Sequence, residues 1–232
     1  MSQEAPLVAS RFLFTSRHGG VSQAPYDQRN LALHVGDDPS DVIANRLNLA
    51  AELGIEGDAL FFMNQVHGCE VIEITHDSVA SSARECDALI TRTPGIALAV
   101  LVADCAPVIL IGERSSAVIH VGWRGLFGGI VEKVVALMAP ERFRAQIGPT
   151  ICGNCYQVGN ELNSEAIARG FVTQGETLDI PASILKILTR VAPERLLHAE
   201  WNGICTLESP DHFSYRRENV TGRTAGVILH GS

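Results

Sequence analysis

Short apolar runs alternate along the chain with stretches whose apolar residues recur at helical spacing. The runs predict strands at 11–16, 59–68, 69–75, 87–91, 143–148, 195–200 and 225–230, with two or three more buried strands between 96 and 121. The helical spacing predicts helices at 42–54, capped by Asp41, and at 126–140, 159–170 and 179–193. With no repeat or linker in between, we expect one mixed α/β domain over residues 1–232, a mixed sheet with helices packed on it.

Composition and charge narrow the class of protein. The chain has 232 residues, of which 46% are hydrophobic and 19% charged, and its formal net charge is −8. An acidic protein has no electrostatic attraction for nucleic acid or an anionic membrane, so we expect neither partner. The N-terminus lacks the pattern of a signal peptide, and the six cysteines then indicate reduced thiols in the cytoplasm. The oligomeric state stays open.

One pair of apolar runs contains polar residues that burial should disfavour. The stretch 100–125 reads VLVADCAPVILIGERSSAVIHVGWRG and predicts a hairpin. If Ile111 lies opposite Ser116, Cys105 and His120 share one face, with β-carbons roughly 5–8 Å apart, while Asp104 points to the other face. Asp104 is therefore expected to be a structural acceptor or an outer-shell group.

A first-row metal ion can bridge a cysteine and a histidine at that separation. Buried cysteines and histidines are more often structural, so a metal site requires a third ligand. His67 precedes a glycine at a predicted strand end, but His18, His34 and His76 compete with it on the residues alone.

The segment after His120 passes through glycines into a predicted helix. Such a turn can offer backbone N–H groups at Gly122 to an anion, and Arg124 can add a charged hydrogen bond. Alternatively, Gly122 and Gly125 only permit a tight turn, with Trp123 in the core. Both interpretations stay open.

Two further motifs favour structural interpretations. Cys152 and Cys155 have C-x-x-C spacing without a second such pair, which makes a redox or zinc role weak and leaves their roles open. For Arg216, Arg217 and Arg223 we favour a solvated turn over a binding site.

Seven ordered blocks, from about residue 10 onward, resemble the YfiH family. They are TSRHGGVS, NLALHVGDDP, NQVHG, ADCAPV, HVGWRG, IGPTICGNCYQVG and FSYRRENVTGR. The family is also known as the laccase-domain or polyphenol oxidase family, and as purine nucleoside phosphorylases. The resemblance implies a YfiH-like sandwich. It also implies a catalytic metal site of His67, Cys105 and His120, holding zinc, with copper possible.

The activity that the resemblance implies is phosphorolysis of inosine, adenosine and methylthioadenosine, with adenosine deamination as a side activity. A purine nucleoside and phosphate are then the partners, with Gly122 and either Arg124 or Arg17 beside the phosphate. The alternatives are a copper-dependent polyphenol oxidase, cytoplasmic editing of peptidoglycan precursors, a metal-free cysteine hydrolase with a Cys105–His120 dyad, and a non-enzymatic nucleoside-binding or scaffold protein. Cys152 and Gln157 depart from the family's usual glycine and glutamate, and nothing catalytic is assigned to them or to His18.

Overall fold

A computed structural model of the protein describes residues 7–80 and 84–231. The strands are β1 (Arg11–Phe14), β2 (Leu60–Phe62), β3 (Val71–Ile74), β4 (Ala88–Thr91), β5 (Ala97–Val102), β6 (Ala106–Gly112), β7 (Ser116–Val121), β8 (Phe143–Ile147), β9 (Thr173–Gln174), β10 (Thr177–Leu178), β11 (Leu196–Trp201) and β12 (Thr224–Leu229). The helices are α1 (Pro39–Leu53), α2 (Trp123–Gly128), α3 (Ile130–Leu137), α4 (Asn160–Ala168), α5 (Ile180–Val191) and α6 (Tyr215–Glu218). None of these helices is long and apolar enough to cross a membrane.

The strands form two mixed sheets and a small ladder. One sheet has four strands in the order β1-β12-β5-β2, the other has six in the order β11-β8-β6-β7-β4-β3, and β9 pairs with β10. The pairs β2–β5, β3–β4 and β8–β11 are parallel, and the other neighbours are antiparallel. The predicted α/β class with a mixed sheet is therefore confirmed, with two principal sheets in place of one.

The six-stranded sheet is covered on both faces. Along β6, Val108 and Leu110 belong to the apolar layer formed with α2, α3 and α5, whereas Ile109 and Ile111 belong to the layer between the two sheets. Successive residues of a strand point to opposite faces. A strand buried on both faces needs no polar alternation, which explains the unbroken apolar run in the sequence.

The four-stranded sheet repeats this arrangement. Leu98 and Val100 of β5 face the layer between the sheets, and Ala97 and Ala99 face the layer that contains α1 residues such as Leu49. The molecule is thus a four-layer α/β/β/α sandwich, in which β5 of one sheet packs against β6 of the other.

The hairpin of β6 and β7 has the predicted register. Ile111 pairs with Ser116, and Pro107 pairs with His120. Cys105 immediately precedes β6, so its side chain and that of His120 lie on the same side of the sheet. The register prediction is confirmed.

Two helix predictions need correction. The first helix starts earlier than predicted, because the cap is Asp38, whose Oδ1 accepts from the N–H of Ser40 at 2.8 Å, whereas Asp41 lies in the first turn. The predicted helix 126–140 is divided into α2 and α3 at Gly129, whose φ of 80° is left-handed. Glycine adopts that conformation readily, so its position ends one helix and starts the next.

Candidate metal centre and cavity

Three side chains with metal-binding atoms converge at the end of the six-stranded sheet where β6 begins and β7 ends. Their ligand atoms, on His67, Cys105 and His120, all lie within 4.8 Å of one another. Sγ of Cys105 is 4.0 Å from Nε2 of His67, and the two imidazole rings meet edge to face with centroids 4.8 Å apart. The structure thus brings together the three residues expected as metal ligands.

The competing histidines lie elsewhere. His18 is exposed and pairs with Asp211 at 2.8 Å, and His76 is exposed in the turn after β3. His34 lines the adjacent cavity without belonging to the ligand cluster. Among the described histidines, His67 is therefore the one that joins Cys105 and His120.

His67 reaches the site from a loop after β2, and Gln65 anchors that loop. The Gln65 side-chain amide donates to the carbonyl of Leu101 at 2.7 Å and accepts from its N–H at 2.8 Å. His67 itself has a φ of 59°, in the left-handed region that few non-glycine residues occupy. The loop thus turns sharply at His67 and is held against the end of β5.

Asp87, which the sequence analysis did not identify, organises the site from behind. It is fully buried, and its carboxylate accepts hydrogen bonds from the backbone N–H groups of Val66, His67 and Gly68 at 2.6–3.2 Å. The same carboxylate lies 2.8 Å from Nδ1 of His120. One acidic side chain therefore orients two of the three ligands, as do carboxylates that accept a hydrogen bond from the far ring nitrogen of a histidine ligand in zinc sites.

The electrostatics of the cluster favour the charged forms of its groups. Burial alone would raise the pKa of Cys105, but His120 and His67 outweigh it and lower the pKa to about 6. Burial likewise opposes protonation of His120, but the Cys105 thiolate and the Asp87 carboxylate raise the pKa of His120 to about 9. A thiolate beside two imidazoles is a donor set that binds zinc, and also copper. The three residues therefore fit a metal ion, with room for a further ligand.

Gly122 permits the ligands to approach the start of α2. A β-carbon at this position would lie 3.1 Å from Sγ of Cys105 and 3.3 Å from Cδ2 of His67. Any side chain at this position would push against two ligands at once. The expected closeness of Gly122 to the site is thus present, although α2 beyond it is only six residues long.

A cavity of about 380 Å³ opens in front of the three ligands. This volume falls within the range of roughly 300–1,000 Å³ typical of small-molecule sites. Apart from the ligands, its lining includes the side chains of His34, Gln65, Tyr156, Tyr215, Arg216 and Arg223. The cavity thus combines aromatic surface with two guanidinium groups.

The favoured interpretation of residues 216–223 as a solvated turn is wrong for Arg223, which is half-buried, whereas Arg216 and Arg217 are exposed, as that interpretation expects. Arg216 lines the cavity, and both of its terminal nitrogens donate to the carbonyl of Gln157 at 3.1 Å. Arg223 also lines it, and burial lowers its pKa. Arg217 instead bonds four backbone carbonyls and Glu218, so it stabilises the loop.

The two arginines expected beside phosphate occupy other places. Arg17 donates to the carbonyl of Asp27 and to Glu218, and its guanidinium lies over the ring of Phe213. Arg124 is exposed and stacks on Trp123 with its guanidinium carbon 4.4 Å from the ring centroid. Among the residues described, neither of them lines the cavity.

Asp104 acts as a structural acceptor, one of the two roles that its place in the hairpin predicted. Its side chain accepts from the hydroxyl of Thr206 and from the N–H of Arg216, each at 2.7 Å. Its φ is 101°, a strained value for a residue with a side chain. These bonds hold the cavity-lining Arg216 next to Cys105, because Asp104 and Cys105 are consecutive.

Comparison with known proteins places the chain in a family. A family model described as "Multi-copper polyphenol oxidoreductase laccase" matches residues 11–231. A purine nucleoside phosphorylase of Streptomyces coelicolor is 39% identical, with 98% of each chain covered. Another, from Streptomyces griseus, is 41% identical over 97% of this chain and 96% of its own.

A solved structure supports the fold independently. The crystal structure of the Bacillus licheniformis hypothetical protein YfiH superposes with a TM-score of 0.88, covering 99% of this chain and 98% of that one at 24% identity. With the ligand geometry and the family match, these similarities agree with the resemblance of the seven sequence blocks. The chain belongs to the YfiH family, also called the laccase-domain family.

Proposed function

We propose that the protein is a zinc-dependent purine nucleoside phosphorylase that acts on inosine, adenosine and methylthioadenosine, with adenosine deamination as a side activity. The observation that carries the proposal is the joint opening of the His67–Cys105–His120 cluster and two arginines into one cavity. The names of the Streptomyces relatives support the same activity.

The walls of the cavity suit a nucleoside. Tyr156 and Tyr215 offer aromatic surface for a purine, and Leu101 and Val102 add apolar surface. Burial, together with the Cys105 charge, raises the pKa of Tyr156 to about 12, so its phenol stays neutral and can donate a hydrogen bond. A neutral aromatic wall can hold a base without repelling the anionic co-substrate.

Arg216 and Arg223 are the residues that we assign to phosphate binding, in place of Arg17 and Arg124. Phosphate is a dianion near neutral pH, and guanidinium groups bind it with two parallel hydrogen bonds. In phosphorolysis a phosphate oxygen forms a bond to C1′ while the C1′–N9 bond breaks, and the electron pair leaves with the base. The arginines hold the attacking anion against the positive charge that develops at C1′.

His67, Cys105 and His120 would hold the metal, with Asp87 orienting both histidines. When bound, zinc supplies Lewis-acid chemistry and lowers the pKa of coordinated water. Cys105 contributes the thiolate that its lowered pKa makes available at neutral pH. His120, whose pKa is raised to about 9 without a metal, would release one proton to solvent when a metal binds.

The family description raises polyphenol oxidation as the second candidate. Four-electron reduction of oxygen by multicopper oxidases uses several copper centres rich in histidine. The described residues contain one cluster of metal-binding side chains with histidines, and it has three ligands. We therefore favour nucleoside chemistry, with copper as an alternative occupant of the same site.

The decisive experiment is chromatography of inosine and adenosine incubated with the enzyme, with and without phosphate. We expect hypoxanthine or adenine plus ribose 1-phosphate only when phosphate is present. Base release that is independent of phosphate would indicate a hydrolase. Turnover of a phenol without release of any base would favour the oxidase.

Matched variants separate the two sets of arginines. A lost charged hydrogen bond costs roughly 1.5–3 kcal/mol, or about ten- to a hundred-fold in phosphate affinity. We expect Arg216→Gln and Arg223→Gln to raise the KM for phosphate by this factor, while Arg124→Gln leaves it unchanged. If only Arg124→Gln raised the KM for phosphate, the phosphate would have to bind at the start of α2.

We also propose that residues 1–232 form one domain that works in the cytoplasm. The shared strands of the three apolar layers support the first statement. The free thiols of the six cysteines support a reducing compartment.

A further inference from the structure

A second cluster of metal-binding side chains lies outside the site described above. It consists of Cys152, Cys155, Cys205 and Glu208, whose ligand atoms all lie within 4.8 Å of one another. Tetrahedral zinc with bonds of about 2.3 Å holds sulfur ligands about 3.8 Å apart. The observed spread is therefore only slightly wider than that of a filled site.

The cluster joins two turns with the same spacing, C-x-x-C at 152–155 and C-x-x-E at 205–208. In the first turn the carbonyl of Cys152 accepts from the N–H groups of Cys155 and Tyr156, each at 3.0 Å. In the second, the carbonyl of Cys205 accepts from the N–H of Ser209 at 2.9 Å. The C-x-x-C motif has no second cysteine pair in the sequence. In the structure, Cys205 and Glu208, about fifty residues away, complete the set of four ligands.

Contacts between the two turns already align the donors. Sγ of Cys155 lies 3.3 Å from Oε1 of Glu208, and Sγ of Cys205 accepts from the N–H of Cys152 at 3.4 Å. A backbone N–H that donates to a ligating sulfur stabilises the negative charge of the thiolate. Cys205 is buried, Cys152 and Cys155 are partly buried, and Glu208 is exposed, so the cluster lies at the surface with its thiols turned toward one another.

We propose that Cys152, Cys155, Cys205 and Glu208 form a second, structural zinc site. Three sulfurs and one oxygen fill a tetrahedron, which leaves no open position and makes the site closed. The thiols release their protons to solvent when zinc binds. An intramolecular disulfide would use two of the three sulfurs and would leave both the third and Glu208 without a role.

The place of the cluster in the fold indicates what the ion does. The turn at 152–155 leads directly into Tyr156 and Gln157, which line the cavity and hold Arg216 respectively. The other turn contains Thr206, whose hydroxyl binds Asp104 at 2.7 Å. Zinc at the cluster therefore fastens together two loops that support Arg216, one through the carbonyl of Gln157 and the other through Asp104.

The test is zinc content of protein purified under reducing conditions without added metal. We expect two zinc ions per chain in the wild type and one in His67→Ala/His120→Ala. The double variant Cys155→Ser/Cys205→Ser is expected to hold one, and Cys69→Ser, a control at a thiol that belongs to neither cluster of ligands, two. Absence of zinc in His67→Ala/His120→Ala would overturn the proposal, whatever the fate of the phosphorylase activity.

X-ray absorption of the zinc left in His67→Ala/His120→Ala identifies its ligands without altering the cysteines. We expect a shell dominated by sulfur at about 2.3 Å, fitted by three sulfurs and one oxygen. A shell of nitrogen and oxygen only would contradict the site. Cobalt substitution gives a second readout, because three thiolates should give a charge-transfer band about three times as intense as the single thiolate of Cys105.

Discussion

The Asp87 carboxylate accepts a hydrogen bond from Nδ1 of His120 at 2.8 Å, and through this contact it couples the sheet to the loop of the metal centre. The same group accepts the backbone N–H of His67 at 2.9 Å. The two histidines are thus oriented by a single buried charge.

Replacing this carboxylate with an amide should weaken the metal centre. Asp87→Asn brings an NH₂ group to a position that faces N–H donors and leaves His120 without its anionic partner. We expect zinc affinity at the centre to fall about 10–100-fold, measured by competition with a chromophoric chelator.

Glu141→Gln is the matched control for that variant. Glu141 is also buried and accepts the backbone N–H groups of Arg114 and Ser115, but it does not belong to the cluster of ligands. Both variants should lower the free energy of unfolding, and only Asp87→Asn should lower zinc affinity. Equal zinc affinities in the two variants would show that Asp87 has only a structural role.

A single methyl group at the start of α2 should disturb the same centre. Gly122→Ala places a β-carbon within 3.1 Å of Sγ of Cys105, so the sulfur must move. We expect lower zinc occupancy, measured by metal analysis, and slower phosphorolysis, measured by release of the base. Gly159→Ala, with nothing within 4 Å of its added carbon, should change neither. Unaltered occupancy in Gly122→Ala would place the bound ion away from Cys105.

The stability of the fold should fall in mild acid because of a buried histidine. His230 is 3% exposed, its Nδ1 lies 2.9 Å from the Ser116 hydroxyl, and burial lowers its pKa below 6.5. Below pH 6.5 this histidine is therefore protonated in the unfolded chain but still neutral in the folded chain. The free energy of unfolding decreases as the pH falls, until the pH reaches the pKa of His230 in the folded protein.

The decrease attributable to His230 is at most about 1.4 kcal/mol per pH unit. Urea unfolding at several values between pH 7.5 and 5 measures it, and His230→Gln should make the pH dependence shallower. Since burial also lowers the pKa of His34 and His212, part of the dependence should survive in the variant. An identical slope in wild type and variant would exclude His230 as a contributor.

Phosphate should inhibit deamination of adenosine if both reactions use the same position in front of the ligands. Deamination occurs at the purine 6-position and phosphorolysis at C1′, about 5–6 Å from the 6-amino group given ordinary bond lengths. One metal ion cannot contact both centres in one pose, so adenosine must bind in two orientations or one activity must use the metal indirectly. The measurement is inosine formation against phosphate concentration, with adenine release followed in parallel. If the rate of deamination does not change with phosphate concentration while adenine release rises and saturates, the phosphate binds away from the metal.

The hydrophobic and polar pattern of the sequence was sufficient to predict the hairpin of β6 and β7 and to place Cys105 and His120 on the same face of it. The alternation of side chains along a strand fixed the parity of Cys105 and His120, and the loop length between the strands fixed their register. The division of the helix at Gly129 was harder to predict from the sequence, since glycine occurs within helices as well as between them. The apolar residues on either side continued the helical spacing without a break.

The remaining site residues depend on contacts between distant segments. Asp87 begins a short apolar strand and has no partner within reach in sequence, so its role emerges only when β4 pairs with β7. Arg216 and Arg223 follow a long irregular segment, and their charge suggested solvent. The position of Arg216 depends on Asp104, more than a hundred residues earlier, whose carboxylate accepts the N–H of Arg216.

The two-sided burial of β6 also affects how the sequence can diverge. Val108 and Ile109 are adjacent, yet Val108 packs toward the helices and Ile109 toward the opposite sheet. A change of volume at Val108 would have to be accommodated within the layer that contains α2, α3 and α5, and one at Ile109 within the layer between the two sheets. Over evolutionary time these two neighbours should therefore vary independently, each covarying with a different part of the chain.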